Sequence, residues 1–311
     1  MTRNLPKNIA ILMAAYNGQS YLREQLDSIA AQSYQNWTLH VIDDGSQDQT
    51  WEILQEYQKQ LGAEKLQIIK SPNRGCATTF LSLVCDPHIQ ADYYAFTDQD
   101  DIWDANKLAK ATAFLDTQDP NISQLYCSSA RLIDAEGHAI GRLPIKTRPL
   151  SFQNALVQCI TTGNTMVFNN PARDILLAAG MVDIPLHDWW VYLAITACGG
   201  EAYYDSEPSL NYRQHGKNYM GFRHNIFRRY LKTLERVLDN QFIKINTAQI
   251  AALNKIYDKL TPQAKITFDD YQRSLKGNVF ARLYYLYQSG VYRQEIPGTI
   301  AVYLAQLMRK L

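Results

Sequence analysis

The sequence predicts an α/β fold built on a doubly wound, mostly parallel sheet. Two observations predict this fold class: short apolar runs alternate with amphipathic segments through the first hundred residues, and clusters of polar residues follow the apolar runs. In a sheet of this kind, ligands bind beyond the carboxyl ends of the strands. We therefore expect the functional residues where the strands end.

Four strands and three helices are predicted in this first part of the chain. The apolar runs place the strands at 9–15, 37–42, 66–69 and 93–96. Apolar residues at helical spacing place the helices at 21–31, 49–61 and 78–84. Ser20 and Asp48 are suitable N-caps for the first two helices.

The chain changes character near residue 222. Strand-like segments at 125–129 and 165–168 are followed by helical patterns at 226–238, 248–260, 264–275 and 279–287. Residues 1–224 carry a net charge of −7, whereas residues 225–311 carry +8. We expect a sheet-containing domain over 1–222 and a helical, basic region over 223–311 that meets an anionic surface or ligand.

Composition and motifs exclude several classes of protein. With 46% hydrophobic and 20% charged residues, the chain is typical of a folded protein. No segment has the about 18 consecutive apolar residues of a membrane span, and the first residues do not resemble a secretory signal, so a cytoplasmic protein is expected. Five cysteines without a CxxC pair favour neither a zinc site nor a disulfide framework. The absence of GxGxxG and GxxxxGKS/T disfavours dinucleotide-binding and P-loop folds.

Three carboxylates crowd the end of the fourth predicted strand, in FTDQDDIWD. Asp98, Asp100 and Asp101 lie within four positions, and like charges this close raise one another's pKa unless a cation neutralises them. Oxygen-rich sites suit Mg²⁺ or Mn²⁺, which also bind phosphates. The motif therefore indicates a metal site for a diphosphate. The alternative is a solvated acidic turn that caps a helix at Asp104.

A second acidic pair ends the second predicted strand, in VIDDGSQDQT. Asp43 and Asp44 follow the apolar run, and Gly45 permits a tight turn. Capping of the next helix accounts for Asp48 but not for this pair. One of the two acids can accept hydrogen bonds from a base N–H or a ribose hydroxyl.

Five motifs in order give the sequence a family resemblance. AAYN, DDGS, PNRG, DQDDIW and HDWW together resemble family 2 glycosyltransferases of the GT-A fold, over roughly residues 8–220. Each motif is weak alone, but the five in this order are specific. The group DQDDIW, TGN, HDWW and YRQHGKN most resembles bacterial rhamnosyltransferases of cell-wall or O-antigen polysaccharide assembly.

The resemblance implies how a nucleotide-sugar donor is bound. Ala14 and Tyr16 match positions that contact the base, with Tyr16 stacking on it, and Asp44 matches the acid that reads a pyrimidine imide. Arg74 lies in the loop that approaches base and ribose. Asp98 and Asp100 match the DxD pair, with Asp98 toward the ribose and Asp100 on the metal. Asp101 is expected either near the donor sugar or ordering the metal ligands.

The resemblance also implies a catalytic base, Asp188, in HDWW. The family usually has Glu-Asp here, whereas this chain has His187 before Asp188. An inverting transfer needs a carboxylate to take the acceptor hydroxyl's proton. The alternative for Asp188 is an N-cap of a helix starting at Trp189, and both roles are compatible. His187 is expected to tune Asp188 or to contact the acceptor; the alternative is a structural role. Trp189 and Trp190 are expected in the acceptor or sugar pocket.

Two further motifs complete the implied site. In YRQHGKN, His215 is either a metal ligand or structural, and Arg213 or Lys217 is expected to meet the diphosphate. In TGNT, Gly163 and Asn164 resemble a loop beside the acceptor and donor sugar, where Gly163 would allow close approach.

The first C-terminal helix, 226–238, combines an apolar stripe with four basic residues: Arg228, Arg229, Lys232 and Arg236. Such a helix can lie on an anionic membrane, where it would meet a lipid-linked acceptor. The alternative is a helix packed on the catalytic domain or on a second copy.

The resemblance implies an inverting, metal-dependent glycosyltransferase with Mg²⁺ or Mn²⁺ as cofactor and a glycan or lipid-linked glycan precursor as acceptor. The donor expected first is dTDP-L-rhamnose, with a UDP-hexose or UDP-N-acetylhexosamine as the alternative. A nucleotidyltransferase and a non-catalytic nucleotide-sugar-binding partner are the remaining alternatives. No nucleic-acid partner is expected.

Overall fold

The computed structural model describes residues 6–160, 162–216 and 241–311. The first half of its central sheet contains four parallel strands in the order β3-β2-β1-β4, where β1 is Ile9–Ala15, β2 Trp37–Asp43, β3 Leu66–Lys70 and β4 Tyr93–Thr97. Three helices connect them: α1 Leu22–Ala30, α2 Thr50–Leu61 and α3 Cys76–Cys85. The predicted doubly wound arrangement of this part is confirmed.

The second half of the sheet mixes parallel and antiparallel pairs. It contains β5 Ile102–Trp103, β6 Gln124–Ile133, β7 Ala139–Arg142, β8 Val167–Asn169 and β9 Glu201–Arg213. Strand β8 pairs antiparallel with both β4 and β6, whereas β6 pairs parallel with the long strand β9. Strands β5 and β7 pair antiparallel with β9 and β6. The sheet is therefore purely parallel in its first half and mixed in its second.

Two helix starts differ from the prediction. No side chain caps α1, because the Gly18 carbonyl accepts the backbone N–H of Tyr21 and of Leu22. The prediction of Ser20 as the N-cap of the first helix was therefore wrong. The Asp48 carboxylate does accept the N–H of Thr50, the first residue of α2, at 3.0 Å. Helix α4, Lys107–Leu115, begins after Asn106 rather than at Asp104, whose carboxylate instead pairs with Arg131.

Two hydrophobic clusters lie on the sheet, and the one that positions the site contains α7. The helices on this side are α3, α5 Phe152–Ala155, α6 Asn170–Ala179 and α7 His187–Ala197. Every residue of α7 is buried except Asp188. Because α7 runs through the core, it holds Asp188 rigidly at the sheet edge.

The C-terminal helices of the described chain share that same core. They are α8 Gln241–Lys255, α9 Pro262–Ser274, α10 Val279–Gln288 and α11 Ile296–Leu307. Leu253, Phe268 and Leu286 belong to one cluster with residues of α7. The predicted boundary near 222 and the predicted helix 226–238 lie outside the described residues.

Across the described segments, every helix is too short or too polar to cross a lipid bilayer.

Candidate active site

The carboxyl ends of three neighbouring strands bring the first candidate residues together. The register pairs Ala15 with Asp43 and Met13 with Thr97, so Tyr16, Asp44 and Asp98 follow the strands on the same edge. The N–H of Asp44 also donates to the carbonyl of Ala15 at 2.7 Å. These three candidate residues therefore lie at one edge of the sheet.

The loop after β1 presents an aromatic ring on a fixed backbone. The side chain of Tyr16 is 46% exposed. Asn17, with φ of 49°, receives a hydrogen bond from the N–H of Gln47 at 2.8 Å, and its own N–H donates to Ser46 Oγ at 2.9 Å. These bonds tie the β1 and β2 loops together, so an exposed ring is held on a rigid support.

Gln99 fixes the same loop from the acidic turn. Its Oε1 accepts the N–H of Tyr16 at 2.9 Å, and its Nε2 donates to the Tyr16 carbonyl at 2.8 Å. A Cβ on Gly18 would lie 2.3 Å from Gln99 Oε1, so a larger residue there would displace the Gln99 amide from the Tyr16 backbone. Sequence reasoning missed Gln99, because it stands as a spacer between Asp98 and Asp100.

The carboxylate of Asp44 holds the PNRG loop. Its two oxygens accept the backbone N–H groups of Arg74 at 2.9 Å and Gly75 at 2.8 Å. Asp44 is buried, whereas the side chain of Arg74 is exposed. Each carboxylate oxygen has a further lone pair, so these bonds leave acceptor capacity toward a ligand.

Asp98, Asp100 and Asp101 converge as the sequence predicts. Each offers a carboxylate oxygen, and these oxygens lie within 4.8 Å of one another. Burial, followed by the charges of Asp100 and Asp188, raises the pKa of Asp98 to about 8. Burial and the charges of Asp100 and Asp98 also hold the pKa of Asp101 well above its usual range. The raised pKa values reflect burial and repulsion among three clustered carboxylates, and a divalent cation would relieve that repulsion.

His215 joins this cluster. Its Nε2 lies 2.7 Å from Asp100 Oδ2, and its ring packs beside that of Tyr21 at 5.0 Å between centroids. A carboxylate and an imidazole at this separation are a donor pair that suits Mn²⁺ or Mg²⁺ together with other oxygen ligands. The residues present therefore fit a hard divalent cation.

Asp188 faces the same cluster from α7. Its Oδ1 accepts the N–H of Trp189 at 2.7 Å, and the backbone of Gly163 also donates to it. Burial outweighs these bonds and raises the pKa of Asp188 to about 6. Helix α7 begins at His187 with Leu186 at the N-cap, so Asp188 lies in its first turn rather than capping a helix from Trp189.

Comparison with known protein families identifies the family of this chain. The sequence model of Glycosyl transferase family 2 matches residues 10–174, which is more than half of the chain. The chain belongs to glycosyl transferase family 2.

Curated relatives of this glycosyltransferase agree with the assignment. It is 29% identical over 218 residues to the dTDP-rhamnosyl transferase RfbG of Shigella flexneri, a match covering 67% of this chain and 73% of RfbG. It is 32% identical over 113 residues to the putative glycosyltransferase EpsE of Bacillus subtilis, covering 36% of this chain and 40% of EpsE.

Solved structures share the fold of this glycosyltransferase. One is the mannosyltransferase PcManGT from Pyrobaculum calidifontis in complex with GDP-Man and Mn²⁺, with a TM-score of 0.57, 16% identity, and coverage of 98% of this chain and 81% of that one. Another is S. aureus TarS 1-349 in complex with UDP-GlcNAc, with a TM-score of 0.57, 15% identity, and coverage of 91% and 81%. The fold is therefore the GT-A fold.

Asp101 is a buried support of the glycosyltransferase site. Its carboxylate accepts hydrogen bonds from Asn164 Nδ2 and, at 3.1 Å, from the backbone N–H of Arg213. Because Asp101 and Asn164 are both fully buried, they bind each other rather than lining a sugar pocket. Of the two roles expected for Asp101, its position fits the ordering of the metal ligands.

Arg213 is not placed as predicted. Its guanidinium is buried and donates to the carbonyls of Asp100 and Ala135 at 3.1 and 2.9 Å, and to Glu24 Oε2 at 2.6 Å. It also lies over the ring of Tyr21 at 4.6 Å. Contact with a diphosphate would break these bonds, so Arg213 instead holds the backbone of Asp100. Lys217, the other predicted cation, lies outside the described residues.

The HDWW aromatic residues form core, not pocket. Trp189 is 6% and Trp190 0% exposed, and Trp189 Nε1 donates to the Ala155 carbonyl at 2.6 Å. Their prediction as acceptor or sugar pocket residues was wrong, because the core encloses both indole rings. His187 stacks on Phe80 at 3.9 Å, and burial lowers its pKa to about 3. Of its possible roles, the structural one agrees with this packing.

Gly163 allows the TGN loop to approach α7. A Cβ at this position would lie 2.7 Å from His187 Nε2 and 3.5 Å from the Cβ of Asp188. The close approach expected of Gly163 therefore concerns α7, and it lets the Gly163 backbone hydrogen-bond to Asp188.

Lys107 is a second residue that sequence reasoning missed. Its side chain is buried at the start of α4, and its Nζ lies 4.5 Å from the centroid of the Trp103 ring. Burial lowers its pKa to about 8, and the charge of Asp101 is the main effect in the opposite direction. Lys107 thus provides positive charge beneath the acidic turn.

Proposed function

We propose that this glycosyltransferase moves one sugar from a nucleoside diphosphate to a glycan hydroxyl with inversion, and that the reaction depends on Mg²⁺ or Mn²⁺. The observation that supports it best is the convergence of the acidic turn, His215 and Asp188 at one sheet edge. The charge of Asp188 contributes to the raised pKa of Asp98, so the two carboxylates act on one small region.

Asp100 and His215 would hold the metal. Their side chains are 2.7 Å apart, and oxygen ligands from Asp98 and the donor would complete the set. A metal here supplies positive charge that stabilises a leaving diphosphate. Arg213 and Asp101 keep the turn in place through hydrogen bonds to the Asp100 carbonyl and across to Asn164.

The donor nucleotide would lie over the loops after β1 and β2. The exposed ring of Tyr16 offers a stacking surface, with Ala14 directly before it in the chain. Asp44 has unused lone pairs for a base N–H, and Arg74 is exposed beside it. These groups suit a pyrimidine nucleotide.

Asp188 would be the base. In an inverting transfer, the acceptor oxygen forms a bond to the anomeric carbon as the bond to the diphosphate breaks, and Asp188 takes the acceptor's proton. A carboxylate with a pKa of about 6 is ionised at neutral pH and is a stronger base than an ordinary aspartate. The hydrogen bonds from Trp189 and Gly163 fix its orientation.

The donor proposed first is dTDP-L-rhamnose, because the relative RfbG is named a dTDP-rhamnosyl transferase. UDP-hexose or UDP-N-acetylhexosamine is the alternative, since the named pocket residues contact the base rather than the sugar. The acceptor would be a hydroxyl of a polysaccharide or of its lipid-linked precursor, which the enzyme would reach by peripheral membrane contact.

The proposal is tested by donor turnover of the full chain. Purified enzyme is given a polysaccharide or lipid-linked glycan acceptor together with dTDP-L-rhamnose, UDP-glucose or UDP-N-acetylglucosamine, and release of the nucleoside diphosphate is followed with Mn²⁺ and with EDTA. We expect metal-dependent release of dTDP. Release that persists unchanged in EDTA would disprove the metal dependence, and donor binding without any release would favour a non-catalytic role.

A further inference from the structure

Two C-terminal helices leave a broad apolar surface exposed. On α10 it consists of Val279, Phe280, Tyr284 and Tyr287, and on α11 of Ile296, Ile300, Leu304 and Leu307. Their exposures range from 37% for Val279 to 80% for Phe280. The spacing of three, four or one residues puts each set on one side of its helix. We call these eight residues the α10–α11 face.

Helices α10 and α11 pack against each other and against the main core. On their inner sides, Leu286 and Val302 enter the main core. Arg282 Nη2 donates to the carbonyls of Gln306 and Leu307, which locks α10 to the end of α11.

Charge is excluded from this face and concentrated around it. Within α10 and α11 the only charged side chain is Arg282, which is buried. Exposed cations stand just outside the helices, with Lys276 before α10 and Arg309 after α11. The described C-terminal segment, 241–311, has ten Lys and Arg against four Asp and Glu. The face is thus apolar and aromatic with a basic surround.

The apolar side chains and the surrounding cations together favour one kind of binding partner for the α10–α11 face. Large contiguous apolar patches on a soluble monomer usually mark a binding surface, and all eight residues of this face are exposed. A second copy bound through the same face would bring two strongly basic regions together, which repel. An anionic bilayer is complementary: apolar side chains enter the interface, Tyr and Phe rings suit the headgroup level, and cations meet the phosphates.

We infer that the α10–α11 face binds the surface of an anionic lipid bilayer. The inference deepens the membrane contact included in the proposed function, and it assigns that contact to named residues. It does not depend on residues 226–238, which lie outside the described part of the chain.

The test is flotation of the full chain with vesicles of phosphatidylglycerol or phosphatidylcholine. We expect binding to phosphatidylglycerol vesicles that weakens as salt is raised, and little binding to phosphatidylcholine. The triple variant Phe280→Ser, Ile300→Ser, Leu304→Ser should bind at least about tenfold less, because three large apolar groups are lost from the contact. The matched control changes two apolar residues exposed elsewhere, Ile145→Ser and Met181→Ser, and should bind like the parent.

Failure of this inference is separable from failure of the proposed function, because vesicle binding needs no donor and no turnover. Equal vesicle binding by the triple variant and the parent would overturn the inference. So would a parent protein that does not bind phosphatidylglycerol vesicles. A parent dimer that becomes monomeric in the triple variant, measured by light scattering, would identify a second copy as the occupant and also overturn it. Metal-dependent donor turnover should be the same in all three proteins.

Discussion

The side-chain amide of Gln99 pairs with the backbone of Tyr16 through two hydrogen bonds, one accepted from the Tyr16 N–H at 2.9 Å and one donated to its carbonyl at 2.8 Å. This pairing joins the acidic turn that would hold the metal to the loop that would hold the base. The two halves of the donor site therefore form one unit, and Gln99 is a positioning residue for both.

Gln99→Glu should weaken donor binding more than turnover. A glutamate cannot donate to the Tyr16 carbonyl and adds a like charge beside Asp98 and Asp100. We expect KM for the donor to rise about tenfold, the effect of roughly 1.4 kcal/mol, while kcat changes less than threefold. The control is Gln55→Glu on the exposed surface of α2. Equal losses in kcat and kcat/KM, with KM unchanged, would contradict a positioning role.

Asp100 and His215 should carry the metal dependence. We expect Asp100→Ala and His215→Ala each to raise the Kd for Mn²⁺ by about 10- to 100-fold, measured by calorimetry in the presence of donor nucleotide. The chain offers a matched control in a second cluster, Asp134, Glu136 and His138, whose side chains also lie within 4.8 Å of one another. Asp134→Ala should leave Mn²⁺ affinity unchanged. If it weakened binding as much as Asp100→Ala, the assigned metal site would be wrong.

The sequence predicts the course of the backbone better than it predicts the directions of the side chains. The first four strands were predictable because short apolar runs, punctuated by polar turns, leave few other structures. The sheet rule then placed Asp44 and Asp98 at one edge. It could not show that Arg213 turns inward toward Glu24, because that direction depends on packing between segments 189 residues apart.

The HDWW motif shows the same limit within three residues. Its pattern cannot distinguish a helix that borders a pocket from one enclosed by the core. Only the packing of α7 against its neighbours decides that Trp189 and Trp190 are core and that Asp188 alone reaches the site. Gln99 was missed for a different reason, since its bonds run to backbone atoms, which carry no sequence signal.

The reaction rate should fall in acid as Asp188 takes up a proton. Burial raises the pKa of Asp188 to about 6. Above pH 6 most of the side chain is the carboxylate that can act as a base, and below pH 6 most of it is the protonated acid that cannot. With donor and metal saturating, we expect kcat at pH 5 to be about tenfold below its plateau, with unit slope. The measurement is kcat between pH 4.5 and 8. A limb centred near pH 4 would show that an ordinary, solvated carboxylate controls the rate.

Asp188→Asn should abolish most turnover and retain donor binding. The amide cannot accept the acceptor's proton, whereas it keeps an oxygen for the N–H of Trp189. We expect kcat to fall about 10²- to 10⁴-fold with donor Kd changed less than threefold. The control is Asp183→Asn, an exposed aspartate just before the helix. Near-normal turnover of Asp188→Asn would exclude Asp188 as the base.

The same substitution should stabilise the fold at neutral pH. The pKa of Asp188 is higher in the folded state, about 6, than the usual aspartate value of 3.8, so the folded state holds its proton more tightly. Ionisation therefore costs stability: the penalty is absent below pH 3.8, grows as pH rises, and is complete above about 6. Asparagine does not ionise and escapes this penalty, which is at most about 3 kcal/mol. We expect the Tm of Asp188→Asn to exceed the parent's at pH 7.5 and to converge with it near pH 4. A lower Tm at pH 7.5 would mean that the hydrogen bonds from Trp189 and Gly163 to the carboxylate outweigh its burial.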